Sequence, residues 1–191
     1  MDKILENVTD WNNHIPLMYL ALEETKTGDV IEMGCGGGST AQLHEYCKRN
    51  KRNLYSFETS QEYMDQFKHM ENKWHKFIHV SDWDVAKKTV SNPSVILIDH
   101  APGERRIVDV DQFKDINGIL VLHDTQPPPT AADYGWERIW HLFKSRVTLD
   151  AGKNEDPNIP DNRTWASAVS NAYDLSKWKG LTYNNNDYVI K

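Results

Sequence analysis

Apolar residues in this 191-residue chain fall into short continuous runs, separated by segments with helical spacing. Asp29-Val30-Ile31-Glu32-Met33 predicts a first strand, and Gly34-Cys35-Gly36-Gly37-Gly38 follows it. A helix from about Ser39 to Arg49 then places Leu43, Tyr46 and Cys47 on one face. Leu54–Phe57, Phe77–Val80, Val95–Ile98 and Ile119–Leu122 predict four more strands. Thr59 and Glu62 form a capping-box pattern opening a helix with Tyr63, Phe67 and Met70 on one side. The fourth and fifth strands are unbroken apolar runs, which suit central strands covered on both faces. The expected fold is therefore α/β: a doubly wound, mostly parallel sheet with helices on both faces.

The two ends read differently. A helix from roughly Pro16 to Glu24 precedes the first strand, with Pro16 in its first turn. After the fifth strand, Pro127-Pro128-Pro129 predicts a stiff loop, followed by a helix around Trp136 to Lys144. Arg146–Leu149 and Thr164–Ser170 predict a C-terminal strand pair, with a loop over 151–162 between them. The expected organisation is one domain over 1–191: a helical cap (1–27), a ligand-binding core (28–125), and a lid, helix and C-terminal strands (126–191).

Composition narrows the function classes. Hydrophobic residues make up 39% and charged residues 26%, as in soluble globular proteins. No apolar run approaches the roughly 18 residues needed to cross a bilayer, and the first residues lack the apolar core of a signal peptide. Twenty-two basic against 28 acidic residues give a net charge of −6, which argues against a nucleic-acid groove. The one dense basic stretch, Lys48-Arg49-Asn50-Lys51-Arg52, reads as a solvated connection. Two cysteines, Cys35 and Cys47, form no disulfide framework, so the reducing cytoplasm is the expected compartment. A second copy of the chain, as a homodimer, is a candidate partner.

In a parallel sheet of this kind, ligands bind beyond the carboxyl ends of the strands. The first predicted strand delivers Glu32 and the glycine cluster; the second delivers Glu58 and Thr59. The third delivers Ser81, Asp82, Trp83 and Asp84, the fourth Asp99 and His100, and the fifth His123, Asp124 and Thr125. Polar residues at five successive strand ends predict a binding site. The glycine loop departs from G-x-G-x-x-G, because Ser39 holds the third glycine position. Glu32, just ahead of the loop, would repel a phosphate and favour a positively charged ligand.

Glu32-Met33-Gly34-Cys35-Gly36-Gly37-Gly38 resembles motif I of class I S-adenosylmethionine-dependent methyltransferases, the E/D-x-G-x-G-x-G loop. The resemblance spans roughly residues 28 to 125. It implies S-adenosylmethionine as cofactor, with Glu58 on the ribose hydroxyls and Asp82 on the adenine amino group. Trp83 would lie along the adenine ring, and Glu32, Gly34, Cys35, Gly36, Thr59, Ser81 and Asp99 would line the cofactor. Ile96-Leu97-Ile98-Asp99-His100 and Leu120-Val121-Leu122-His123-Asp124-Thr125 further resemble strand-end elements of catechol-type O-methyltransferases. By position, this implies that Asp99, Asp124 and Thr125 would hold Mg²⁺ and that His100 would touch the cofactor. Two positions depart from that subfamily: Thr125 replaces an asparagine, and Pro102 stands where a catalytic lysine would be.

The expected activity is methyl transfer to a small-molecule acceptor, through oxygen, with Asp99, His123 and Asp124 beside the reacting atoms. The rivals are an NAD(P)- or nucleotide-sugar-binding enzyme on a related sheet, and a cofactor-binding protein without turnover. Around the site, Arg105 and Arg106 read as a solvated helix face or as holders of an acidic substrate. Tyr134, Trp136 and Trp140 read as core or as pocket wall, and His14 as a structural histidine or a lid. Cys35 reads as a small space-filler.

Overall fold

The apolar runs become strands of one nine-stranded sheet in the computed structural model, which describes residues 12–126, 134–150, 165–183 and 188–191. The parallel part comprises β1 (Val30–Met33), β2 (Leu54–Glu58), β3 (His75–His79), β4 (Val95–Ile98) and β5 (Ile119–Leu122). The antiparallel part comprises β6 (Ser145–Asp150), β7 (Ala166–Ser170), β8 (Thr182–Tyr183) and β9 (Tyr188–Ile190). The order is β3-β2-β1-β4-β5-β7-β6-β9-β8, so chain direction across the sheet reverses between β1 and β4. This is the expected mostly parallel α/β architecture with antiparallel C-terminal strands. The small β8–β9 pair extends that end beyond the predicted two strands.

Among the described residues, five α-helices accompany the sheet: α1 (Ile15–Thr25), α2 (Thr40–Asn50), α3 (Gln61–Asp65), α4 (Asp84–Thr89) and α5 (Arg106–Phe113). Strand residues alternate between two cores, as the period of two requires. Val30, Val95, Leu97, Ile119 and Val121 pack with Leu17, Met18, Ala21 and Leu22 of α1 and with Leu43 and Cys47 of α2. Ile31, Met33, Ile96, Ile98, Leu120 and Leu122 pack with Ala86 of α4 and with Val110 and Phe113 of α5. With both faces covered, the central strands have no polar side to show, which explains their unbroken apolar sequence. The same alternation assigns the next residues: Asp99 and His123 continue the α1 face, and His100 continues the α5 face.

Three local expectations change. The capping residue of α3 is Ser60, whose Oγ accepts from Tyr63 N at 3.2 Å, and the helix closes after one turn with Met64 rather than Tyr63 buried. The segment from Trp136 forms two 3-10 turns, Trp136–Arg138 and Trp140–Leu142, instead of one helix. Its indoles stack at 5.7 Å, and Trp136 Nε1 donates to Asp124 O at 2.7 Å, so a tertiary anchor overrides helical pitch. The third correction is Arg52. Lys48, Arg49 and Lys51 are exposed as expected, but Arg52 is buried. Its guanidinium donates to Leu22 O at 3.0 Å, Gly28 O at 3.0 Å, Thr27 O at 3.2 Å, Thr25 Oγ1 at 3.1 Å and Ser94 Oγ at 2.7 Å. It thereby ties the end of α1 and the turn leading into β1 to Ser94, just ahead of β4. The expected proline loop at 127–129, the 151–162 loop and the 184–186 asparagines lie outside the described residues. Among the described residues, no helix is long and apolar enough to cross a membrane.

Arg52→Met should lower unfolding free energy by roughly 2–4 kcal/mol, because buried carbonyls lose charged donors. Lys48→Ala, on the exposed side of the same stretch, should stay within about 0.5 kcal/mol of the parent. Urea midpoints compared at constant slope would read both values. A loss of similar size in the two variants would remove Arg52 from its assigned role.

Candidate active site

The site forms where β1 and β4 diverge, at the topological switch point. Gly34 leaves β1 with φ +94°, and a Cβ there would lie 2.9 Å from His100 Cα and against the backbone of Asp99. Only glycine permits both this conformation and this closeness. The crest of the loop is open: a Cβ on Gly37 would meet nothing within 4 Å, and one on Gly36 only Ser39 Oγ at 3.7 Å. A ligand can therefore lie directly on the backbone there.

Glu32 is fully buried beneath this loop. Its Oε1 accepts from Ser39 Oγ at 2.7 Å and Thr40 Oγ1 at 2.9 Å, and its Oε2 accepts from Ser56 Oγ at 2.5 Å. Thr40 Oγ1 in turn accepts from Gly36 N at 2.8 Å, so the carboxylate moors both the loop and the start of α2. Behind Ser56 the network runs on through His75 Nε2 at 2.8 Å to a contact of 3.1 Å between His75 Nδ1 and His44 Nδ1. Burial pushes Glu32 up to about 7, against the pull of three hydroxyl donors. Burial and neighbouring His44 hold His75 down at about 3, so its ring is neutral. The expectation that Glu32 contacts a ligand's positive charge thus meets a carboxylate already engaged by three hydroxyls.

Glu58, at the end of β2, joins two segments. Its Oε2 accepts from Cys35 N at 3.1 Å, and its Oε1 accepts from Thr59 N at 2.8 Å and Ser60 N at 2.9 Å. The carboxylate therefore sits at the rim of the glycine loop and retains acceptor capacity. Burial, with Glu32 and Glu58 nearby, pushes the Cys35 thiol up, as a space-filling role requires. At the end of β3, Ser81 and Asp82 are exposed, and Asp82 accepts from Asp84 N at 3.0 Å in the first turn of α4. Trp83 is buried, stacks on the His100 ring at 4.1 Å and donates from Nε1 to Ala101 O at 3.1 Å. His100 Nε2 donates to the buried Asp109 at 2.9 Å, which Arg105 also contacts. Trp83 and His100 thus form one packed unit on the α5 face.

The ends of β4 and β5 bring Asp99, His123 and Asp124 together, and add Arg106. This arginine is buried, contrary to the solvated reading. Its Nη2 lies 3.1 Å from Asp99 Oδ1, and its Nη1 donates to Asp124 Oδ2 at 3.0 Å. It also donates to His100 O at 2.7 Å and His123 O at 3.2 Å. His123 Nδ1 lies 3.1 Å from Asp99 Oδ1 and 3.6 Å from Asp124 Oδ1. Asp124 has φ +56°, which turns its side chain back toward this group. Burial pushes the Asp99 carboxyl up, but the hydrogen bond from His123 and the charges around it outweigh that and hold it near 2. His14, at the start of α1, packs edge-on against His123 with ring centroids 4.7 Å apart.

The magnesium set implied by resemblance does not assemble. The Thr125 hydroxyl faces β7, 2.8 Å from Ser167 Oγ, so Thr125 is corrected from a ligand candidate to a sheet residue. Asp99 and Asp124 are bridged by the Arg106 guanidinium, which supplies the positive charge that a hard cation would bring. The residues present do not fit an oxygen-ligated Mg²⁺.

No protein-family model matches the chain, and no curated protein matches it either. Solved structures do match. A spermidine synthase from Thermotoga maritima aligns with TM-score 0.58 at 17% identity, over 87% of this chain and 61% of that one. An O-methyltransferase from Bacillus cereus, in complex with SAH, aligns with TM-score 0.60 at 13% identity, over 86% and 83%. A TehB-like SAM-dependent methyltransferase from Corynebacterium glutamicum gives 0.50 at 11%, over 86% and 88%. The chain has the class I methyltransferase fold. At these identities the likeness is one of fold, and the chain spans about three fifths of the length of the spermidine synthase.

Within this methyltransferase fold, the sequence reading missed the burial of Arg106 although a signal was present. Arg106, Asp109, Val110 and Phe113 recur at i, i+3, i+4 and i+7, the spacing of one buried helix face. Two strand-end carboxylates also call for a nearby cation. For His14 no comparable signal exists, because only tertiary packing brings α1 over the ends of β4 and β5.

The Glu32 carboxyl titrates higher folded than unfolded, so its contribution to stability is present below about pH 4.5 and is lost as pH rises toward about 7. The difference amounts to something on the order of 3 kcal/mol. Glu32→Gln should flatten the fall in thermal midpoint across that window, read by calorimetry in matched buffers. An unchanged slope would mean that Glu32 does not titrate there.

Proposed function

We propose that the protein transfers a methyl group from S-adenosylmethionine to the oxygen of a small-molecule acceptor. The observation that carries this reading is the junction of Glu58 with the open glycine loop, at the switch point of a methyltransferase-type sheet. A carboxylate at a strand end suits two vicinal hydroxyls of a ribose, and backbone without side chains suits the aminoacyl part of the cofactor. Asp82, near the end of β3, is exposed, and in this reading it accepts from the adenine amino group. When bound, the cofactor supplies an electrophilic methyl group on its sulfonium.

The protein's own contribution is then alignment, exclusion of water and removal of the acceptor's proton. Asp99, His123 and Asp124 are the groups assigned beside the acceptor. In this reading, Asp99 orients the His123 ring through the 3.1 Å contact and stabilises the imidazolium that forms when the ring takes the acceptor's proton. Arg106 pairs with both aspartates and fixes them in place. The acidic net charge supports a small acceptor over a nucleic acid.

Calorimetric titration with S-adenosylhomocysteine should show micromolar binding to the parent protein. Glu58→Ala should weaken it by at least about tenfold, or 1.4 kcal/mol. Asp124→Ala should leave cofactor affinity within about threefold while slowing S-adenosylhomocysteine release in a screen of phenolic, catechol and sugar hydroxyl acceptors. Equal affinity in a folded Glu58→Ala variant would remove the ribose role, and no binding to the parent would remove the methyltransferase reading.

A further inference from the structure

His14 is only 1% exposed, yet among the described residues neither of its ring nitrogens has a hydrogen-bond partner. Burying such groups unpaired costs about 1–3 kcal/mol each, so the arrangement calls for a partner that the described residues do not provide. The ring stands on the α1 face, where strand alternation also delivers Asp99 and His123. One donor atom from each of the three residues lies within 4.8 Å of the others.

Two imidazoles and one carboxylate, converging from a helix start and two strand ends, form a ligand set of distinct chemistry. The geometry points to a binding site for a first-row transition-metal dication of the zinc class, held by His14, Asp99 and His123. Bond lengths of about 2.0–2.2 Å place tetrahedral ligand atoms roughly 3.3–3.6 Å apart, so closure needs side-chain shifts of about 1 Å. Imidazole nitrogen selects zinc, cobalt, nickel or ferrous iron over magnesium, which prefers oxygen and retained water.

Arg106 does not exclude the ion. It engages Asp99 through Oδ1 and orients that carboxylate, as outer-shell partners of metal ligands do. With one guanidinium against Asp99 and Asp124, the cluster keeps one formal negative charge when both imidazoles are neutral, and a dication meets it. Three protein ligands leave coordination open for a small oxygen ligand, the pattern of catalytic rather than structural zinc sites. Metal binding does not depend on the methyl-transfer reading, and an ion held by His123 would replace that ring's role as the base.

The test uses the full chain, stripped with a chelator and titrated with Co²⁺ and then Zn²⁺. One equivalent of Co²⁺ should produce ligand-field absorption in the visible, Zn²⁺ should displace it, and each metal should raise the thermal midpoint. His14→Ala and His123→Ala should each weaken Co²⁺ binding at least tenfold, whereas His79→Ala, at an exposed position, should leave it unchanged. His14→Gln preserves bulk if the alanine variant fails to fold, and circular dichroism checks both. Absence of the Co²⁺ band in folded parent protein, or tight binding retained by a folded His14 variant, would overturn the site. S-adenosylhomocysteine titration of the same stripped protein separates the two proposals: metal uptake without cofactor binding supports this site and overturns the methyl-transfer reading. Cofactor binding without metal uptake does the reverse.

Discussion

Arg106 is the constraint on which the arrangement of the β4 and β5 ends depends. Two aspartates leave adjacent parallel strands at nearly the same level, and like charges in a partly dry site repel unless a cation lies between them. The guanidinium fills that position and spends its other donors on the carbonyls of His100 and His123. Two loops that would otherwise diverge are tied to α5. Asp99 and Asp124 are then both paired with it, and His123 sits against both.

On the other side of the switch point, order comes from a buried carboxyl group instead. Glu32 gathers three hydroxyls and, through Thr40, the amide of Gly36. A glycine-rich loop loses more conformational freedom on folding than any other kind of segment, so it needs such a mooring to hold one shape. Glu58 adds a second tie through Cys35 N. The loop is therefore rigid along its base and open along its crest, a combination that suits a bound ligand lying on bare backbone.

Much of this was legible before any fold was known. Unbroken apolar runs at 95–98 and 119–122 announced buried central strands, because a strand covered on both sides has no use for polar alternation. The positions of Glu58, Asp99, His123 and Asp124 followed from knowing where strands end. Four of the errors share one cause. Arg52, Arg106, Thr125 and the segment from Trp136 were read from their neighbours in sequence, and each is decided by a partner far along the chain. Arg52 meets the end of α1, Thr125 meets Ser167 of β7, and Trp136 meets Asp124.

The sequence by itself determined the sheet, its helical cover, the glycine loop and the polar character of the strand ends. These are local matters of period, propensity and side-chain chemistry, repeated often enough along the chain to be read. Only the tertiary structure decided which polar groups face one another: Arg106 between two aspartates, three hydroxyls on Glu32, and His14 beside Asp99 and His123. The reason is physical. Burial of a charged or polar group is unfavourable until a partner is fixed within hydrogen-bond reach, and that distance is set by packing between elements, which no local pattern encodes.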